Sequence, residues 1–450
     1  MAISNKKETL FLFLGDLVCF SAALWLTLLV RHGELPSVEL WYAHLKPFSV
    51  LFVFWVIAFF IAGLYERHTL LLRGKFPMRL LNAQLGNTII AVLFFYFVPV
   101  FGINPKTNLF IYLVISSLLI FAWRLFGREL LPRGKRELAL LIGGGEEVDE
   151  LEKEINGNPR YQLRFSSSID LQKLHGANIH AEIMNRVFSD SVSVIVADFK
   201  DEKIVPILPH LYNLLFSHIR FIDIHHVYED TFGRVPLSLL NTGWFLENIS
   251  IANSVYDATR RLLDMVIASI AGLFSLLVYP FVYCAIKFDD GGDMFINQER
   301  VGKNNQLIRV IKFRSMSGND SGNYGSSGRT DLVVTSVGKF LRKWRVDELP
   351  QLWNVLRGDL SLIGPRPEFA PLVMRYEKEI PYYGVRHLVK PGLSGWAQVH
   401  HERHPHHGIA VDQTKEKLSY DLYYIKNRSL LLDLKILLKT VKTILSRSGM

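Results

Sequence analysis

The stretch RVDELPQLWNVLRGDLSLIGPRPE, residues 345–368, holds the densest group of side chains able to do chemistry. Two adjacent carboxylates, Asp347 and Glu348, lie between Arg342 and Arg345 on one side and Arg366 on the other. Acids at a helix start are a common capping device, favoured by the positive end of the helix dipole. The same acids among guanidinium groups suit transfer of a phosphoryl group. Arginines neutralise phosphate oxygens, a carboxylate attacks phosphorus, and Mg2+ held by Asp347 and Glu348 offsets the repulsion between them. The loops SLIGPRPE and VKPGLSGWAQV, punctuated by proline and glycine, add Arg366, Glu368 and Lys390 on rigid rather than floppy backbone.

Elements must bring these groups together. VGKFLRKWRVDELPQLWNVLRG has helical spacing: Phe340, Leu341 and Trp344 form an apolar stripe that Leu349, Leu352, Val355 and Leu356 continue. Pro350 fits the first turn of a helix starting near Asp347. Upstream, INQERVGKNNQLIRVIKFRSM (296–316) alternates like paired strands joined at Gly302–Asn305, and delivers Lys312 and Arg314 near one edge. SGNDSGNYGSSG (317–328) has no core-forming residues and is either a passive linker or a mobile flap.

At 450 residues, two or three domains are expected. The chain is 49% hydrophobic with a net charge of +9 and a pI near 9.3. That combination points to a membrane with anionic headgroups or to a phosphorylated substrate. No basic-aromatic array points to nucleic acid. Cys19 and Cys284 both sit in apolar runs, which argues against a disulfide framework or a cysteine metal site.

Four apolar stretches, about 9–30, 48–64, 85–103 and 108–126, each approach the ~20 residues that cross a bilayer. The first lacks a small-x-small cleavage site and is not read as a signal peptide. Arg67, Arg73, Lys75 and Arg79 fill one connector, and Arg124, Arg128, Arg133, Lys135 and Arg136 follow the fourth span. The connector after the third offers only Lys106, although Arg31 and Lys46 flank the first. The balance places both ends of this bundle in the cytoplasm. A fifth run, 262–286, is long enough to cross as well. However, Arg260 and Arg261 before it and Lys287 after it prefer the same face, and Pro280 would kink a helix there. A fifth span and a helix that dips in and returns both fit these residues.

Between the bundle and this run, ELALLIGGGEEVDELEKEI reads as strand, glycine turn and helix, as a doubly wound nucleotide domain begins. Further strands are expected at 192–199 and 218–225. Gly143 and Gly145 fit the dinucleotide fingerprint, but Val148 replaces its third glycine. Glu146 and Glu147 put negative charge where a pyrophosphate would lie, and Asp170 is the nearest candidate for the ribose acid. A structural or regulatory Rossmann-like module is the better reading than a cofactor-using one.

KFRSM, LRKWRVDELPQLWNVLRGDLSLIGPRPE and KPGLSGWAQV resemble the signature blocks of the monotopic phosphoglycosyl transferases, the bacterial sugar transferases. The layout resembles their large membrane subclass throughout, and the motif likeness covers 258–446. The resemblance implies a membrane protein of α and α/β elements. These are a four-helix transmembrane bundle (1–130), a Rossmann-like domain (131–250) and a mixed α/β catalytic domain (251–450) with a re-entrant helix at about 260–286. Pro280 matches the family proline that breaks that helix, with Tyr279 where serine is usual; WRV replaces the usual small-residue lead-in to DELPQ.

The implied reaction passes a hexose 1-phosphate from a UDP-sugar to undecaprenyl phosphate. It releases UMP and proceeds through a covalent phosphosugar on Asp347, as the first membrane step of exopolysaccharide, O-antigen or capsule synthesis. Glu348 would activate the polyprenyl phosphate or position the metal. Arg342 and Arg366 match arginines that hold phosphates or uridine, Lys312 and Arg314 fall near the nucleotide, and Asp421 matches a family acid of less obvious role. The site would face the cytoplasm at the bacterial inner membrane, among its lipids, and a homodimer through the middle domain is a candidate assembly.

HHERHPHH (400–407) has five histidines, but Pro405 breaks regular pairing; a loop with Arg403 available for phosphate is favoured over zinc. Titration of these side chains near neutral pH would modulate activity. LLLDLKILLKTVKTIL (430–445), with Lys435, Lys439 and Lys442, fits an interfacial amphipathic helix and a core-packed one equally. Two rivals remain. A membrane NDP-sugar dehydratase or epimerase would act through the middle domain, which lacks a Tyr-x-x-x-Lys pair. A non-enzymatic scaffold would recruit polysaccharide-assembly machinery.

Overall fold

The apolar N-terminal runs fold as α1 (Lys6–His32), α2 (Val38–Ile61), α3 (Phe76–Phe97) and α4 (Lys106–Phe126). The computed structural model describes residues 6–65, 76–98, 106–126, 136–159, 161–170, 179–250, 254–322, 332–400 and 411–446. It divides into one unit of Met1–Ala139 with Ile155–Ser166 and another of Leu140–Glu154 with Ser167–Met450. Leu10–His32, Val38–Ile61 and Leu80–Phe97 are long and apolar enough to cross a membrane, whereas the apolar stretch of α4, Asn108–Arg124, is shorter. Phe20, Phe48, Trp55, Phe59 and Tyr112 form the aromatic centre of this bundle. Arg124 pairs with the buried Asp16 and donates to the Leu64 carbonyl at 2.9 Å, while the Tyr65 hydroxyl donates to Asp16 at 2.7 Å. Charges among apolar helices persist only when partnered in this way.

β1 (Glu137–Ile142), β2 (Leu163–Ile169), β3 (Val194–Ala197) and β4 (Arg220–Asp223) form a sheet in the order β2-β1-β3-β4, with β3 and β4 parallel. Helices α5 (Glu146–Gly157), α6 (Ile179–Ser189), α7 (Leu208–Tyr212), α8 (Ile224–Phe232) and α9 (Thr242–Asn248) accompany it. The strand expected at 218–225 stops at Asp223, because that side chain accepts the His225 backbone N–H and caps α8.

The run at 262–286 is broken. α10 (Ser254–Leu276) and α11 (Tyr279–Asp289) meet at a 54° bend, with Pro280 in the first turn of α11, where its missing N–H costs nothing. Tyr256, Arg260, Asp264, Ala268, Gly272 and Ser275 are buried at helical spacing, whereas Leu263, Val266, Ile270, Leu273, Phe274 and Phe281 are exposed.

β5 (Phe295–Val301) and β6 (Leu307–Phe313) form the expected antiparallel hairpin, pairing Ile296 with Lys312. There follow α12 (Ser336–Lys343), α13 (Gln351–Arg357), β7 (Ser361–Ile363), α14 (Ala370–Glu379), β8 (Gly392–Ser394), α15 (Trp396–His400), α16 (Val411–Lys426) and α17 (Leu430–Ser446), with β7 and β8 parallel. α10 is strapped to β7: Asp264 accepts from Ser361 Oγ at 2.7 Å and Leu362 N at 3.1 Å, and Arg260 donates to Ser361 Oγ at 2.7 Å and to the Ile363 carbonyl. α17 packs Ile436 into the core beside Leu422 and Trp396, and leaves Leu431 and Leu434 exposed. Lys435 and Lys439 reach over the Trp396 ring, and Lys435 stays exposed. The start of the 317–328 stretch is pinned, with Asn319 Nδ2 donating to the Asn297 carbonyl at 2.8 Å; residues 323–331 lie outside the described residues.

Candidate active site

The helix expected to start near Asp347 begins later, at Gln351. Trp344 and Arg345 close α12, and Arg345 takes a left-handed φ of 52°. Val346–Glu348 then forms a single 3-10 turn, and Pro350 caps α13. The acids therefore sit in a tight turn between two helices, not at the start of one: proline has no N–H with which to carry the ladder across. α12 is set by Thr335, which accepts the Gly338 N–H at 3.0 Å. Gly338 is required, because a Cβ there would lie 2.0 Å from the Ser315 carbonyl oxygen. α13 is clamped to β6 by the buried Asn354, whose Oδ1 accepts from Ile311 N at 3.0 Å and whose Nδ2 donates to the Arg309 carbonyl at 2.7 Å. That clamp fixes Lys312 relative to the turn.

Three cations converge on Glu348. Arg366 Nη2 donates to its Oε1 at 2.7 Å, Lys312 Nζ lies 3.7 Å from the same oxygen, and Arg345 Nη1 lies 3.5 Å from Oε2. Burial alone would raise the Glu348 carboxyl, but Arg366, Lys312 and Arg345 outweigh it and hold the group well below the usual carboxylate range. Asp347 moves the other way: burial, then the charge of Glu348, raise it against Lys312, Arg342 and Arg366. Burial pushes Lys312 down to about 8 against the pull of Glu348. Asp347 is 7% exposed, and no ion pair to it is seen among the described residues. Two carboxylates of which one lacks a direct partner fit a hard divalent cation, with Asp347 the readier donor.

Arg366 is itself held in place. The buried Arg386 donates to its backbone carbonyl at 2.9 Å, to Asp421 at 2.8 Å and to the Tyr383 hydroxyl at 2.7 Å. Asp421 thus acts on the site through Arg386. Glu368 pairs with Lys417, and that lysine, with Arg386 and Arg300, holds its carboxyl at about 2 against the effect of burial. Arg386, Asn354 and Lys417 were not singled out from sequence; a lone charged or amide residue inside an apolar helical stripe was the available signal.

Arg314 does not join the cluster. It pairs with Asp290 at 2.8 Å and donates to the Ser317 carbonyl at 3.1 Å. Arg342 ends α12 and acts on Asp347 electrostatically. Arg403 and the rest of 401–410 lie outside the described residues. His400 is packed against Trp396 and faces Lys439, and burial and that ammonium push it down to about 3, so it does not titrate near neutral pH.

The glycine turn of the middle domain faces its own chain. Glu147 accepts from Leu237 N at 2.8 Å and Ser238 N at 2.9 Å, and Glu150 accepts from Arg234 at 2.7 Å and from the Tyr228 hydroxyl at 2.9 Å. Glu147, expected to clash with a pyrophosphate, serves here with Glu150 to hold the 234–238 segment.

The family model for bacterial sugar transferases matches residues 255–447, the part that holds this turn and its cations. A UDP-glucose:undecaprenyl-phosphate glucose-1-phosphate transferase of Caulobacter vibrioides is 38% identical over 192 residues, covering 42% of this chain and 71% of that protein. The chain belongs to the bacterial sugar transferases. Two further relatives of that kind extend the match. The UDP-N-acetylgalactosamine-undecaprenyl-phosphate N-acetylgalactosaminephosphotransferase of Aeromonas hydrophila is 40% identical over 260 residues, 57% of this chain and 59% of that protein. An undecaprenyl-phosphate glucose phosphotransferase of Komagataeibacter xylinus is 30% identical over 362 residues, 76% of this chain and 66% of that protein. The chain thus spans less than two thirds of each of these last two.

Proposed function

We propose that this chain transfers a hexose 1-phosphate from a UDP-sugar to undecaprenyl phosphate and releases UMP. The observation that carries the reading is a buried Asp347, without a close ion pair among the described residues, beside a Glu348 that gathers Arg366, Lys312 and Arg345. Lys312, Arg342, Arg345 and Arg366 outnumber the two carboxylates, so the cluster favours a diphosphate. Mg2+, held mainly by Asp347, would neutralise phosphate oxygens when bound.

In the first half-reaction an Asp347 oxygen bonds to the sugar-bearing phosphorus and the bond to the UMP oxygen breaks. In the second, an oxygen of undecaprenyl phosphate takes that phosphorus and frees Asp347. Glu348, kept ionised by Arg366, is suited to holding the cations in register rather than to accepting a proton. The 54° break and the exposed apolar side chains of α10 support a re-entrant helix that dips into the cytoplasmic leaflet, with basic residues at both ends on one face.

Purified full-length protein tests the reading. UMP should appear from a UDP-sugar only when undecaprenyl phosphate is present, across a panel including UDP-glucose, UDP-galactose and UDP-N-acetylgalactosamine. Nicotinamide-dependent conversion of the sugar would instead favour a dehydratase or epimerase, and no turnover on any sugar would favour a scaffold.

A further inference from the structure

We propose that Asp198, Asp223 and His225, in the middle domain, bind a divalent first-row metal ion in a site separate from the Asp347 turn. β3 and β4 are adjacent and parallel, and Ala197 pairs in register with Asp223. Asp198, one residue past β3, and Asp223, the last residue of β4, therefore stand side by side at the carboxyl edge of the sheet, where open α/β sheets take their ligands. His225 follows in the first turn of α8. One donor atom from each of the three side chains lies within 4.8 Å of the others. Donors bonded to one such ion at ~2.1 Å stand up to roughly 4 Å apart, so small side-chain rotations close the set.

A cavity of about 150 Å3 opens beside these groups and leaves room for water to complete the coordination. The cavity is also lined by His226, Asn241 and Glu247. Lys200 on its wall is paired with Glu247, and Lys426 with Glu229 at 2.7 Å, so neither lysine is spent on the aspartates. Asp198 Oδ1 accepts the Lys200 N–H, and Asp223 Oδ1 accepts from His225. The second oxygen of each carboxylate has no donor among the described residues. Two carboxylates with one imidazole favour Mn2+, Fe2+ or Zn2+ over the all-oxygen shell of Mg2+ or Ca2+. Binding would exchange the His225–Asp223 contact for bonds to the ion and fix α8 to the sheet edge.

The test titrates Mn2+ into chelator-treated full-length protein and counts bound ion by electron paramagnetic resonance. One equivalent per chain should be lost in Asp198→Asn and in His225→Gln, and should be displaced by Zn2+ in the unmodified protein. Both variants should release UMP at the unmodified rate with Mg2+ present, which also shows that they fold. Glu348→Gln, at the other acidic pair, should keep this equivalent. Equal Mn2+ binding in the unmodified chain, Asp198→Asn and His225→Gln would overturn the assignment, as would loss of the equivalent in Glu348→Gln alone.

Discussion

Asp347 and Glu348 are neighbours in sequence with opposite electrostatic fates, because one is buried with no close ion pair among the described residues and the other is met by three cations. A nucleophilic Asp347 must be ionised, and burial and Glu348 raise its pKa. The acid limb of kcat/KM should therefore lie above the ordinary aspartate range of about 4. Asp347→Asn should lower UMP release below a few per cent without loss of folded protein, and labelled sugar should no longer be trapped on the enzyme. Lys312 gives an alkaline limb: its charge is lost as pH rises through about 8, so UDP-sugar binding should weaken there. Bound phosphate stabilises the ammonium, so the limb should sit higher in kcat than in kcat/KM, and Lys312→Arg should remove it from both. For stability the sign is opposite. The unfolded lysine keeps its proton to about 10.4, so folding gains between about pH 8 and 10.

At the scale of elements, local spacing made the β5–β6 hairpin, the stripe of α13 and the glycine-turn helix α5 readable in the sequence; the stripe expected on α12 is only partly buried, with Leu341 inside and Phe340 exposed. The break at Arg345 was not readable, because a left-handed arginine leaves no mark in an apolar pattern. Nor was the route from Asp421 to Arg366, which joins residues far apart in the chain through one buried arginine. Asp421→Asn leaves the Arg386 guanidinium buried without its counter-charge, a loss of about 3–5 kcal/mol by analogy with other broken buried pairs. The expected outcome is a large drop in the midpoint of thermal unfolding in detergent. At temperatures where the variant stays folded, KM for the UDP-sugar should rise more than kcat falls, because Arg366 has lost its support.

At the scale of the molecule, the apolar N-terminal helices and the α/β elements that follow them were legible, because each has its own composition. What the glycine turn faces was not: Glu147, one of the acids that spoil the nucleotide fingerprint, finds its partners in the distant residues Leu237 and Ser238. The proposed topology puts α5 and α12 on one side of the membrane. In a background with Cys19→Ser and Cys284→Ser, a thiol introduced by Lys153→Cys and one by Lys343→Cys should both be shielded from an impermeant reagent in intact cells and react once the membrane is opened. Opposite reactivity of the two would end the re-entrant reading.

The strap between α10 and β7 carries a further consequence. Ser361 and the two backbone groups beside it hold Arg260 and Asp264 in a buried seam that ties the apolar helix to β7. Under the proposed topology this tie would make the depth of the reacting oxygen a length built into the protein, not one the lipid can adjust. Turnover in vesicles of graded acyl-chain length should peak at one hydrocarbon thickness and decline in thinner and thicker bilayers alike. An Asp264→Ala variant, its seam loosened, should respond more flatly.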